Sequence, residues 1–242
     1  MAIAIGALII SFIPSLLMFL FLRNNRKDDQ EYRKNCTSLL GKGLLISLLI
    51  FLFDLVIKIL WGLTGIGKKN IWIDRLFTCF IVNATIEELC KFLVARKYIR
   101  EDLTKTSRLD IISFLTIAAI SFGLLEDIVY VFSTNIGQTI VRGILMGHVP
   151  YELLMGLLYS KSVAEKRPVY KVLAFLIPIV LHGSYNFLLS EGLPDWTAYV
   201  VVTEVILETV FMIYMIFFMK KKRNDPAYTY PVFSQETVSE EI

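Results

Sequence analysis

Cysteine is scarce in this chain: three residues in 242, Cys36, Cys79 and Cys90, stand apart with no paired spacing. No disulfide framework or zinc ribbon can be drawn from them. Charge of one sign is lacking too. The 25 lysines and arginines stand against 22 aspartates and glutamates, a formal net charge of +3. So small an excess leaves no electrostatic footprint for nucleic acid, and no such partner is expected. Histidine occurs twice, and no His-Glu-x-x-His zinc motif is present. A long linker, an internal repeat and a separate soluble domain are also missing.

Apolar residues are what the chain has in excess. They make up 55% of it, with a mean hydropathy of +0.61. Soluble domains sit nearer 45–50% on average, so the composition points to a membrane class. A spanning helix needs roughly 20 mostly apolar residues. Seven stretches meet that length approximately: 3–22, 44–63, 76–95, 111–132, 140–159, 172–189 and 196–219. The first is followed by Arg23, Arg26 and Lys27 and lacks a small-residue cleavage site, so it reads as a retained helix.

The loops set the expected orientation. Lysine and arginine crowd the loops after the first, third, fifth and seventh stretches, ending in Lys220, Lys221, Lys222 and Arg223. The loops between are poor in them. The positive-inside rule then puts the N-terminus outside and the C-terminus in the cytoplasm. The expected fold is an all-α, multi-pass protein of the cell membrane with about seven transmembrane helices. Residues 1–222 would form one helical domain in the lipid bilayer, and 223–242 a disordered cytoplasmic tail.

A charge near the bilayer centre costs at least about 2.5–3.5 kcal/mol, so each one needs a reason. Asn83, Glu87 and Lys91 recur every four residues and share a helical face, with Glu88 also in reach of Lys91. One lysine cannot neutralise two adjacent acids. Glu126 and Asp127 form a second acidic pair with no cation within a turn; Asp127 could help end its helix. A carboxyl buried without a cation suits general acid–base work. Both histidines, His148 and His182, fall inside apolar stretches, with Asn186 one turn beyond His182. Arg142 could pair with a carboxylate or reach the interface. Asp54 and Lys58, four apart, read as a structural ion pair. Glu204 and Glu208 share a face of the last stretch and have no partner the sequence names.

At 1.5 Å per residue, Glu126, His182 and His148 lie at similar depths, and Glu87 joins them if its helix enters the bilayer at Leu76. If that helix starts at Ile71, Glu87 sinks by about one and a half turns and the group separates.

At these residues the chain resembles the PrsW family of intramembrane proteases, related to the CAAX prenyl endoproteases. Glu87-Glu88-Leu89-Cys90-Lys91 is similar to the family's E-E-x-x-K, and Phe122 to Glu126 to F-x-x-x-E. Arg142 through His148 to Gly156 is similar to the block with the first histidine, and His182 to Asn186 to H-x-x-x-N. The four blocks keep the family's order. Asp127 stands where many members are expected to carry Asn. The resemblance implies cleavage of a single-pass membrane protein near the outer face, and an anti-sigma factor in stress signalling is one such substrate. It implies catalytic roles for Glu87, Glu88, Lys91, Glu126, His148, His182 and Asn186. Zinc is a candidate cofactor: Glu126, His148 and His182 could ligate it, leaving Glu87 as base. Alternatively Glu87 activates water directly, with the histidines and Asn186 around the oxyanion.

Buried acids and histidines also make proton relays, so a proton-coupled transporter is the alternative. The absence of matching repeats weighs against it. A retinal protein would need a lysine midway along the last helix, and there is none before Lys220.

Overall fold

The computed structural model describes residues 2–100, 106–133, 136–190 and 192–231, and among them it contains helices and no strand. Helix α1 (Ala2–Arg23) passes into a short 3-10 turn at Asn24–Arg26. Helix α2 (Gln30–Thr64) begins where the Asp29 side chain accepts a hydrogen bond from the Tyr32 amide, and it stops at Gly65 with φ +67°. Both signals are physical: the carboxylate satisfies an orphan amide, and glycine alone takes a left-handed φ without steric cost. Two short helices, α3 (Ile66–Lys69) and α4 (Ile71–Leu76), follow, the second capped by Asn70.

The third expected span is not one regular helix. A π-helical segment, Phe77–Ile86, separates α4 from α5 (Glu87–Arg100). Thr85 Oγ1 donates to the Phe80 carbonyl five residues back, matching the i→i+5 register. Helical backbone therefore starts at Ile71, the case in which the group was expected to separate, yet the group holds together as described below.

Helix α6 (Arg108–Ser133) is the central post. Ile111, Ile112, Leu115 and Ile117 are wholly buried, and α1, α2, α5 and α8 (Val149–Glu165) all pack on it. Its buried hydroxyls return to their own helix: Thr116 donates to the Ile112 carbonyl and Ser121 to that of Ile117. Both hydroxyls are thereby satisfied without a partner from another helix. At the seam with α8, a Cβ on Gly156 would stand 2.8 Å from the Ile112 Cα, so only glycine permits this approach. Asp127 does not end α6, which runs on to Ser133.

The fifth expected span is broken. Helix α7 (Ile136–Leu145) stops, Met146 takes φ +50°, and α8 resumes at Val149. Pro150 offers no amide to an incoming helix but suits a first turn. His148 sits at that break. Helices α9 (Pro168–Leu188) and α10 (Trp196–Lys222) complete the bundle. Five helices among the described residues, those within 3–26, 30–64, 108–132, 168–188 and 196–222, are long and apolar enough to cross a membrane. The Asp54–Lys58 reading changes as well: Asp54 points inward with Oδ1 buried and without a hydrogen bond, while Lys58 is exposed.

Of the expected tail, residues 223–231 lie along the bundle. Arg223 donates to Asn25 Oδ1 at 2.8 Å, and the short α11 (Pro226–Thr229) packs on α6. Residues 232–242 lie outside the described residues.

Candidate active site

Four elements deliver the polar blocks to one place. Glu87 and Glu88 open α5, which continues directly from the π-helical segment. Lys91, one turn on, is 2% exposed. Its Nζ donates to Glu88 Oε1 at 2.7 Å and to His148 Nδ1 at 3.1 Å, and lies 3.5 Å from Glu152 Oε1. It also stands 4.9 Å from the centre of the Phe122 ring. The lysine thus serves Glu88, and Glu87 is left over.

Because an ammonium can only donate, His148 Nδ1 must accept. Its proton then sits on Nε2, which donates to Glu126 Oε2 at 2.6 Å. Arg142 holds the same carboxylate, the pairing that sequence allowed for it. On α9, His182 Nδ1 donates to Glu88 Oε1 at 2.8 Å. That bond fixes the tautomer and turns Nε2 toward Glu87, in the way carboxylates orient imidazoles at metal sites. His182 Nε2 lies 3.8 Å from Glu87 Oε2. That oxygen is buried and makes no hydrogen bond.

Packing fixes both rings. Tyr151 stacks on His182 at 5.4 Å and 13°, and Phe122 meets His148 edge-on at 5.3 Å. Gly183 lies flush on Phe80 of the π segment, where any Cβ would collide with the ring. A small cavity of about 30 Å³, lined in part by Arg142, His148, His182, Tyr185 and Asn186, adjoins them. That is room for a water.

All seven residues singled out from sequence therefore line or support one site, with Asn186 on the cavity wall. Glu152, fully buried beside Lys91 with neither oxygen hydrogen-bonded, was missed. Its signal was present: an acid one turn after His148 in an otherwise apolar run. Asn83 precedes Glu87 with Oδ1 buried and unbonded, and Asp127 is buried on α6 beside Glu126.

The family model described as "PrsW family intramembrane metalloprotease" matches residues 34–220, well over half the chain. The chain belongs to the PrsW family. It is a membrane-embedded hydrolase and a multi-pass protein of the cell membrane. Among curated relatives, Protease PrsW of Clostridioides difficile (strain 630) is 26% identical over 194 residues, 75% of this chain and 78% of its own length. Protease PrsW of Geobacillus kaustophilus (strain HTA426) is 27% identical over 181 residues, covering 72% and 75%. Protease PrsW of Bacillus subtilis (strain 168) is 25% identical over 158 residues, covering 63% and 72%. No solved structure matches the chain. The transporter alternative finds no support in these matches.

The PrsW family's description implies a metal, and the residues fit one. Glu87, His148 and His182 each place a ligand atom within 4.8 Å of the others. One carboxylate with two imidazoles suits zinc and other divalent transition metals. The unbonded Glu87 oxygen and the His182 tautomer set by Glu88 both favour such use. Glu126, expected in the ligand set, is here engaged by Arg142 and His148; His148 is itself held on both nitrogens, by Lys91 and Glu126, and would exchange one of those bonds to bind a metal.

Proposed function

We propose that the chain is an intramembrane endopeptidase in which Glu87 accepts the proton of the hydrolytic water. The observation that carries this reading is the buried, unbonded Glu87 Oε2, 3.8 Å from His182 Nε2. A separation of that size suits a water bridging both atoms. Glu87 takes one proton as the water oxygen bonds to the scissile carbonyl carbon. Asn186, on the wall of the small cavity, is a donor available to the oxyanion. As the tetrahedral intermediate collapses, the C–N bond breaks and the proton held by Glu87 passes to the leaving amine. Glu88 keeps His182 in its tautomer, Lys91 holds Glu88, and Glu126 with Arg142 holds His148.

Glu87, His148 and His182 would also hold a divalent metal such as zinc, which would polarise the carbonyl and acidify water, with Glu87 then a ligand.

The substrate class is a single-pass membrane protein, and an anti-sigma factor released by a first cut near the outer face is one member. The alternation of basic loops, with the N-terminus outside, supports that side for the cut. Seven crossings are compatible if the broken helices α7–α8 and the π-containing α4–α5 also span.

The test is co-expression with a library of tagged single-pass proteins. Glu87→Gln should lower cleavage by roughly 10²–10⁴-fold while the protein stays folded in detergent. Cleavage at the wild-type rate in that variant sinks the proposal. Metal analysis then divides the two chemistries: metal lost with Glu87→Gln marks a ligand, and metal content unchanged marks the base.

A further inference from the structure

Glu204 and Glu208 have no place in the chemistry above, although both sit well inside α10. They lie roughly 12 and 18 Å along the helix from Trp196 at 1.5 Å per residue. Each is partly buried, and each has an Oε1 that is buried without a hydrogen bond. They face a cavity of about 510 Å³ between α8, α9 and α10. That volume is in the range of sites that hold ligands. The rest of the wall is largely apolar, including Pro150, Leu181, Leu207 and Phe211, and no lysine, arginine or histidine lines it among the described residues.

Two features tie this space to the active site. Tyr151, which stacks on His182, lines it. Glu208 lines both this cavity and the small one beside His148 and Asn186. Whatever fills the larger space therefore lies next to the reacting groups.

We infer that the α8–α9–α10 cavity receives the apolar transmembrane segment of the substrate, and that Glu204 and Glu208 select a lysine or arginine side chain on it. The inference rests on the proteolytic reading of the adjoining site. Charge complementarity decides the occupant. Ionisable groups inside a membrane need partners, and these two carboxylates find no cation in their own cavity. A purely apolar lipid tail would leave both oxygens unpaired. A peptide with one cationic side chain pairs them and places its backbone beside His182.

The probes are labelled transmembrane peptides of about 20 leucines and alanines, with lysine, norleucine or glutamate at each of several successive central positions. Binding to the full chain in nanodiscs is read by fluorescence anisotropy, using Glu87→Gln to suppress turnover. At one or two adjacent positions, lysine should bind about 10–100-fold more tightly than norleucine, as suits a charge-assisted hydrogen bond out of water. Adding Glu204→Gln and Glu208→Gln should abolish that preference and leave norleucine binding unchanged. As a second arm, Glu204→Lys should shift the preference toward the glutamate peptide. The inference is overturned if lysine gives no advantage at any position, if the advantage survives the double substitution, or if lipid alone displaces all peptides equally. Failure of the base assignment looks different, since cleavage by Glu87→Gln would persist whatever the peptide preference.

Discussion

Helices α6 and α10 are of similar length and apolarity, but they live in different surroundings. In the most apolar window of α6, 78% of residues are buried, against 17% in α10. Hydrophobicity alone could not have ranked them, because lipid is as apolar as a protein core. Polar detail separates them. In the membrane-embedded stretch of α6 the polar groups facing the site are answered: Thr116 and Ser121 bond to carbonyls of their own helix, and Glu126 meets Arg142 and His148. On α10 the two glutamates each keep an unanswered oxygen. A central post that settles its own polarity makes a scaffold, and a loosely seated helix with open carboxylates makes a wall that something else must complete.

The largest effect is expected where the answered side is broken. Lys91→Met removes the cation from between Glu88, Glu152 and His148, leaving buried charge uncompensated. Losing one partner of a buried pair costs about 3–5 kcal/mol, so the thermal transition in detergent should fall sharply and cleavage should vanish. Glu88→Gln added to Lys91→Met should recover part of the stability and none of the activity. A Lys91→Met protein as stable as wild type would show that the lysine does not hold the site together.

The membrane class, the order of the polar blocks and their meeting were legible because buried charge in an apolar run has few explanations. The break at His148 was only half legible: Pro150 marks a helix loosened beside the histidine, but the left-handed turn at Met146 has no sequence signal, since neither glycine nor asparagine stands there. The π segment was equally hidden: Phe77–Ile86 reads as an ordinary span, and its register shows only in bonds such as Thr85 to Phe80. The spacing of Asp54 and Lys58 misled, because four-residue spacing puts two side chains on one face without saying which way each points. Glu152 was legible as a buried acid but not as a site residue, because its neighbour Lys91 comes from another helix and no cation stands within a turn of it in the sequence.

A second effect sharpens the contrast within α10 itself. Met212, Met215 and Met219 are buried toward its end, while Leu207 beside the cavity is 64% exposed. Met215→Ala should therefore destabilise by about 2 kcal/mol, the low end for a buried methionine, because lipid offers no aqueous transfer term and only packing is lost. Leu207→Ala should fall within the roughly ±0.5 kcal/mol of ordinary surface changes. Equal losses at the two sites, read by thermal unfolding in detergent, would mean that α10 is seated along its whole length and that the cavity closes in the membrane.

The smallest effect lies where the chain leaves α10. Asp225 caps α11 through the Ala227 amide and pairs with Lys222. The hydrogen bond from Lys222 holds its carboxyl below the usual aspartate range. A folded-state pKa below the unfolded one gives stability that is present above the unfolded value and lost as pH falls through the folded one. Asp225 is half-buried at the surface, its side chain 31% exposed, so solvent and salt screen the pair and the gain is slight. Asp225→Ala should thus lower the melting temperature slightly at neutral pH, and the difference should shrink as pH falls below about 4. Amide exchange at residues 226–229 is the sharper readout, since the cap acts there first. Exchange unchanged by Asp225→Ala at neutral pH would mean that α11 is held by its packing on α6 alone, extending the scaffold's reach past the end of the looser helix.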